Sequence, residues 1–216
     1  MDELKRLIGY FLTKFPRNLS RTEIIKLIYM FELQHIVTYG HQYTTVEFER
    51  YHYGPYAKEI VDCISEMEQD GILMCLPYTN AAHGNTCYSH HIKDEKYWEQ
   101  YPLQFDKMLI ADYLIDEYGS KSFDEIIQSV YASPPMARIK SEEDGIGACQ
   151  YGRRIDMADN ANVVKVSLND LLLASKRRKS APSFKVTEEN KDEYVKFLIN
   201  SYNSSDDLRR RVDCVA

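Results

Sequence analysis

Two cysteines and two histidines in the middle of the chain are the residue types best suited to bind a metal ion: Cys75, Cys87, His90 and His91. Zinc sites usually draw their ligands from pairs that are about two to four residues apart, on either side of a connector. Eleven residues separate the two cysteines, and only Cys87 and His90 are close to each other. The spacing therefore favours hairpin ends and surface histidines over a metal centre, and we expect no metal or other cofactor.

Enzymatic motifs are missing from the sequence. It contains no phosphate-binding glycine loop, no dinucleotide fingerprint and no serine-nucleophile elbow. No orienting carboxylate motif accompanies His35, His41 or His52, so we expect these histidines at the surface or at helix ends. The sequence gives no support for an enzyme, and we expect none.

Composition indicates a globular protein rather than a secreted or membrane protein. Of the 216 residues, 44% are hydrophobic and 28% are charged, which is ordinary for a chain that buries a core. The five cysteines are neither even in number nor dense enough for a disulfide scaffold. No apolar run reaches the roughly 20 residues of a membrane span, and the N-terminus lacks a signal-peptide pattern. We therefore expect a cytoplasmic protein with no membrane partner.

The charge distribution weighs against nucleic-acid binding by the first part of the chain. Residues 1–140 contain 14 basic and 20 acidic residues and so carry the whole net charge of −6, whereas residues 141–216 contain 13 of each. DNA-binding domains usually present a basic face. A DNA-binding regulator that uses the basic run at 176–179 or the arginines near the C-terminus remains an alternative.

The hydrophobic periodicity predicts a mainly α fold with a small β component, that is, a compact α+β domain. The order helix, helix, strand, helix, hairpin resembles that of a winged helix. However, the third helix is acidic where a DNA-reading helix would be basic. Two capping boxes and several glycines set the predicted boundaries. The predicted elements are helices near 2–15, 21–39, 55–70, 102–118 and 122–131, a strand at 46–53, and a hairpin of 72–76 and 86–92.

The periodicity weakens after residue 140, which predicts a domain of residues 1–140 followed by a C-terminal extension of residues 141–216. Within the extension, the composition predicts a loop at 141–152 and an exposed basic linker at 176–182. A further helix is predicted at 187–202, followed by a mobile tail.

Three motifs occur in order: a Lys-Leu-Ile-Tyr run at 26–29, a Tyr-Gly turn at 39–40, and an aromatic segment that enters Tyr-Gly-Pro at 53–55. Together they resemble the Panacea domain, the SocA-like, phage-associated antitoxin family, over roughly residues 4–135. The residue types predict a mainly structural role for these positions, since leucine packs a core and glycine permits turns. The positions concerned are Lys26, Leu27, Tyr29, Gly40, Gly54 and Pro55.

The resemblance implies an antitoxin that neutralises its cognate toxin by direct protein contact. It also implies an alternative, because one branch of the family delivers its toxin to a protease as an adaptor. Tyrosine and arginine are enriched at the centres of protein interfaces. We therefore predict that Arg50, Tyr51, Tyr53 and Tyr56 supply part of the partner surface; for Tyr53 a core position is an equal alternative. Self-association stays open.

Overall fold

The structure is a computed structural model that describes residues 2–79 and 86–158. Within these residues, helices predominate and the strands are short. The elements, in chain order, are α1 (Asp2–Lys14), β1 (Leu19–Ser20), α2 (Arg21–Tyr39), β2 (Glu49–Tyr51), β3 (Gly54–Tyr56), α3 (Lys58–Gln69), β4 (Leu73–Thr79), β5 (Thr86–Ile92), α4 (Tyr97–Gln100), α5 (Phe105–Tyr118), α6 (Phe123–Tyr131) and α7 (Pro134–Ile146).

Helix α2 is the centre of the fold, in contact with α1, α3, α5 and α6. It begins at the predicted capping box, in which the Ser20 side chain accepts from the Glu23 amide while the Glu23 carboxylate accepts from the Ser20 amide. It ends at Gly40, whose φ of +82° is the left-handed cap that glycine adopts without strain. The fully buried apolar side chains on this helix include Ile24, Leu27, Ile28, Tyr29 and Phe31.

A small antiparallel sheet packs beside α2. Strands β4 and β5 form the predicted hairpin, and β1 adds to the free edge of β5, where Leu19 pairs with His90. The prediction of a mainly α fold with a small β component is therefore confirmed.

The segment between α2 and α3 differs from the prediction of a single strand at 46–53. It forms a second hairpin, β2–β3, in which Arg50 pairs with Pro55 and Tyr51 pairs with Gly54. Gly54 has a φ of +89°, which lets the chain reverse after two residues. Pro55 consequently lies in a strand rather than in the first turn of a helix, and α3 begins at Lys58.

The predicted loop at 141–152 is wrong over its first half. Pro134 and Pro135, taken from the sequence as the end of a helix, instead occupy the first positions of α7, where proline is favoured. The predicted domain boundary at residue 140 falls inside this helix.

After α7 the chain returns to β2, where the Ile155 amide donates to the Phe48 carbonyl at 2.8 Å and Ile155 joins the core. The predictions for 176–182, 187–202 and the tail lie outside the described residues.

Candidate functional site: the aromatic hairpin

The residues predicted to contact a partner lie on the β2–β3 hairpin, which we call the aromatic hairpin (residues 49–56). The structure brings all four predicted residues together there. Tyr51, Tyr53 and Tyr56 are half-buried, whereas the Arg50 side chain is buried and only 4% exposed. The expectation that Arg50 is an exposed contact residue is therefore wrong, because its guanidinium points into the protein.

A bidentate ion pair holds Arg50 in place. Its Nε donates to Oε1 of Glu143 at 2.9 Å and its Nη2 donates to Oε2 at 3.0 Å. Its Nη1 donates to the carbonyl of Tyr51, and Oε1 of Glu143 also accepts from the Gln150 amide at 2.8 Å. This fork geometry gives the strongest charge-assisted hydrogen bonds, so helix α7 fixes the base of the aromatic hairpin.

The protonation states reinforce this pair. Burial alone would lower the pKa of Arg50 and raise that of Glu143. The hydrogen bonds between the two groups outweigh burial, so the pKa of Arg50 lies above its ordinary value and the pKa of Glu143 lies below it. Both groups therefore stay charged across the physiological pH range.

Aromatic rings cover the buried guanidinium. The Arg50 guanidinium carbon lies 5.5 Å from the ring centroid of Tyr131 and 5.4 Å from that of Tyr151, both within cation–π range. The Tyr151 ring in turn lies 4.5 Å from the ring of His52 at the tip of the hairpin. His52 and Tyr151 are both exposed, Tyr151 by 50%. A charged group thus anchors a solvent-facing group of rings.

The predicted tyrosines continue this group of rings along the hairpin. The rings of Tyr51 and Tyr56 lie 5.1 Å apart between centroids. The Tyr51 ring also contacts the ring of His52 at 4.6 Å. Tyrosine combines a large apolar ring with a hydroxyl, which suits a surface that is dry when bound and wet when free.

Lys26, the first residue of the family motif, supports the hairpin from below. It is buried, and its Nζ donates to the carbonyl of Pro55 at 2.6 Å. Burial, together with the nearby Arg50 charge, lowers the pKa of Lys26 to about 7. The motif lysine thus joins α2 to strand β3.

Tyr29 has a similar supporting position one turn further along α2. Its hydroxyl lies 2.9 Å from the Ser133 Oγ, at the start of α7, and its ring packs edge-on against Phe48 at 5.3 Å. Leu27 is fully buried in the core. Both side chains thus pack inside the domain, and the mainly structural role of the motif stays a prediction.

Sequence reasoning missed three members of the site: Tyr131, Glu143 and Tyr151. Glu143 is 93 residues from Arg50 in the chain, and it lies in a segment that the sequence predicted to be a loop. Nothing in the local pattern marks it as the partner of Arg50. Backbone hydrogen bonds show that this segment packs on the hairpin: the Arg50 amide donates to the Arg153 carbonyl at 2.7 Å, and the Gly152 amide donates to the Arg50 carbonyl at 2.8 Å.

The cysteine and histidine cluster of the sequence is only partly brought together. Cys75 and His90 are cross-strand neighbours in the β4–β5 hairpin, and Glu68 at the end of α3 joins them. His91 follows His90 and so faces the other side of β5, while the side chain of Cys87 lies outside the described residues. His90 is only 3% exposed, so the prediction of a surface histidine is wrong at this position.

His35 is not at the surface, since it is only 1% exposed, but it lies near the C-terminal end of α2, which agrees with the helix-end alternative. Its Nδ1 lies 2.7 Å from the carbonyl of His41. Burial lowers the pKa of His35, so its ring is neutral at pH 7. His41 and His52 are exposed, as predicted.

Neither of two described thiols is set up as a nucleophile. Burial raises the pKa of Cys63 to about 11, and burial together with the Glu68 carboxylate raises that of Cys75 to about 12. Both thiols are therefore protonated at neutral pH, unlike the activated thiolates of cysteine enzymes.

Comparison with known proteins identifies the family. The profile described as "Antitoxin SocA-like, Panacea domain" matches residues 24–135, which is more than half of the chain and includes α2 from Ile24 onward, both hairpins and α6. Searches of curated proteins and of solved structures gave no match. Within the described residues, none of the helices is both long and apolar enough to span a bilayer. The chain therefore belongs to the SocA-like antitoxin family and carries its Panacea domain.

Proposed function

We propose that this protein is an antitoxin that neutralises its toxin in the cytoplasm by direct contact through the aromatic hairpin. The single observation that carries the antitoxin role is the family match over residues 24–135. The same match supports a toxin as the principal partner. The proposal needs no catalytic residue, in agreement with the protonated thiols and the missing enzymatic motifs.

The aromatic hairpin supports the choice of contact surface. The Arg50–Glu143 pair and Lys26 hold the strands that carry its tyrosines, so the backbone of the hairpin is already ordered in the free protein. A fixed backbone reduces the conformational entropy that binding must overcome. Tyr51 and Tyr53 contribute here as contact residues, and Arg50 contributes by positioning them.

The surface charge supports a protein partner over DNA. Helix α3 holds the position of the recognition helix in a winged-helix order, yet its exposed side chains include Glu59 and Asp62. Acidic groups at this position repel phosphates, so α3 is unsuited to reading DNA. An acidic domain instead favours a basic toxin, because complementary charge speeds association.

Rescue of growth tests this proposal. A neighbouring open reading frame whose expression alone is toxic is expressed with the wild-type chain, with a Tyr51→Ala/Tyr53→Ala variant, or with a Tyr88→Ala control. Tyr88 is 50% exposed on the β4–β5 hairpin, away from the aromatic hairpin. We expect rescue by the wild type and the control, and loss of rescue by the double variant at equal protein level.

Two results would contradict the proposal. Rescue by the double variant at wild-type level would rule out the aromatic hairpin as the contact surface. Rescue that disappears in a strain without its cytosolic proteases would instead support the adaptor alternative.

Gel shifts at increasing salt concentration test the regulator alternative, and binding of duplex DNA by the chain would support it.

A further inference from the structure

Three potential metal ligands from three different elements converge beside the β4–β5 hairpin. Glu68 lies in the last turn of α3, Cys75 in β4 and His90 in β5. Oε1 of Glu68 lies 3.4 Å from Nε2 of His90, and Sγ of Cys75 lies 3.8 Å from the same nitrogen. All three ligand atoms lie within 4.8 Å of one another. The arrangement was not visible in the sequence because Glu68 is not part of the cysteine–histidine pattern.

These separations fit a tetrahedral zinc ion. Zinc binds nitrogen and oxygen ligands at about 2.0 Å and sulfur at about 2.3 Å, so tetrahedral geometry places two such ligand atoms roughly 3.3–3.6 Å apart. The observed distances of 3.4 Å and 3.8 Å are close to this range. Thiolate, imidazole and carboxylate are also the three side-chain types that zinc prefers.

Hydrogen bonds explain the cluster only in part. Nε2 of His90 is shared by two neighbours, Oε1 of Glu68 at 3.4 Å and Sγ of Cys75 at 3.8 Å, and both contacts are long. Nδ1 of His90 is buried without a hydrogen-bond partner among the described residues, and such an atom needs a reason. A cation between the three side chains would bind Nε2, Oε1 and Sγ at the same time.

We infer that Glu68, Cys75 and His90 form a zinc site whose fourth position is open to water or to a donor from outside the domain. The side chain of Glu68 is 33% exposed, which leaves a path from solvent. The ion would join α3 to both strands of the hairpin. This inference goes beyond the proposed antitoxin function and does not depend on it.

The charges of the cluster balance when zinc binds. Cys75 is a neutral thiol before binding, and zinc displaces its proton to solvent as the Zn–S bond forms. The thiolate and the Glu68 carboxylate then neutralise the two positive charges of the ion. Arg21, which lies close enough to influence the pKa of both groups, would face a neutral centre.

Cobalt spectroscopy of the full chain tests the site directly. The reduced protein is freed of metal with a chelator and titrated with Co²⁺, whose thiolate charge-transfer absorption reports Co–S bonding. We expect one Co²⁺ per chain with this band in the wild type, displaced on addition of Zn²⁺. Cys75→Ser should abolish the band, whereas Cys149→Ser, at an exposed cysteine, should retain it.

The remaining two ligands give independent tests. Glu68→Gln and His90→Gln should each weaken Zn²⁺ binding by at least about 10–100-fold, measured by competition with a chromophoric chelator. Removing a residue that only hydrogen-bonds to a metal ligand already weakens metal binding by about that factor. Far-ultraviolet circular dichroism confirms that each variant is folded. Absence of the band in the wild type, or its persistence in Cys75→Ser, would overturn the inference.

Discussion

The aromatic hairpin and the cluster of Glu68, Cys75 and His90 each place polar side chains beneath a β-hairpin, but they differ in how their atoms are paired. At the aromatic hairpin, every nitrogen of the Arg50 guanidinium donates to a defined acceptor. Beside the β4–β5 hairpin, the contacts of Glu68 and Cys75 with His90 are long, at 3.4 Å and 3.8 Å, and Nδ1 of His90 is buried without a hydrogen-bond partner among the described residues.

The difference separates support from binding. A buried charge held by a bidentate partner rigidifies its surroundings. Buried polar groups whose contacts are long are less well compensated for the loss of water, and a ligand can complete those contacts. We therefore propose that the Arg50–Glu143 pair positions the partner surface and that the Glu68 cluster binds an ion.

Breaking the Arg50–Glu143 pair is expected to have the largest effect on stability. Arg50→Ala leaves the Glu143 carboxylate buried and uncompensated, which costs about 3–5 kcal/mol. Urea unfolding at pH 7 measures this loss. Arg138→Ala is the control, because its ion pair with Glu142 is exposed and worth less than about 1 kcal/mol. An Arg50→Ala loss as small as that of the control would contradict the supporting role.

The pH dependence of stability tests whether the buried Lys26 amine is uncharged in the folded chain, so that Arg50 is the single buried cation under the aromatic hairpin. The pKa of Lys26 is about 7 in the folded chain, below its ordinary value of 10.5. Between these values the unfolded chain binds a proton that the folded chain does not, so stability rises with pH, by about 1 kcal/mol per unit.

Removing the amine should remove this dependence. Lys26→Met is expected to flatten the rise in stability between pH 7 and about pH 9, a difference of about 2 kcal/mol, whereas the exposed Lys58→Met should keep the wild-type slope. Urea unfolding across this range gives the two slopes. Parallel curves for the wild type and Lys26→Met would show that Lys26 is charged in the folded protein.

Gly54 tests the turn that presents the tyrosines. Its φ of +89° strains any residue with a side chain, so Gly54→Ala should cost about 1–2 kcal/mol. An added Cβ would meet the Tyr131 ring at 3.6 Å, an ordinary contact, so the cost is in the backbone. Gly145→Ala, inside α7 with open space around it, should instead stabilise by up to about 1 kcal/mol. Equal shifts of the thermal unfolding midpoint in the two variants would contradict a backbone at Gly54 that requires glycine.

Replacing Cys75 is expected to have the smallest effect on stability when zinc is absent. In the metal-free protein the Cys75 thiol makes only weak polar contacts among the described residues, with His90 at 3.8 Å and with Glu68, so Cys75→Ala should change stability by no more than about 1 kcal/mol. Zinc at 100 times its dissociation constant should add about 2.7 kcal/mol to the wild type alone. Thermal unfolding with and without zinc measures both values, and an equal zinc effect in the variant would place the ion elsewhere.

Local sequence signals determined much of the fold. The capping box at Ser20 and the glycine at residue 40 gave both ends of α2, and the two apolar segments gave the β4–β5 hairpin. Such signals act over a few residues, where the sequence alone is sufficient. The aromatic residues of the candidate site were likewise visible in the sequence.

The environment of those residues was not predictable. The burial of Arg50 depends on Glu143, 93 residues away in the chain, and on helix α7. This helix begins with two prolines, and the sequence alone does not distinguish them from prolines that end a helix. The Glu68 cluster depends on how α3 packs against the hairpin. Pairings of this kind are set by tertiary contacts, and no local pattern encodes them.

The affinity of the purified chain for its toxin tests the central claim most directly. Isothermal titration would compare the wild type with Tyr51→Ala/Tyr53→Ala and with the Tyr88→Ala control, after urea unfolding has confirmed similar stability. We predict that the double variant binds at least about tenfold more weakly, a loss of about 1.4 kcal/mol, because tyrosines at an interface centre carry much of the binding energy. The control should bind as the wild type does. Wild-type affinity in the double variant would contradict the account.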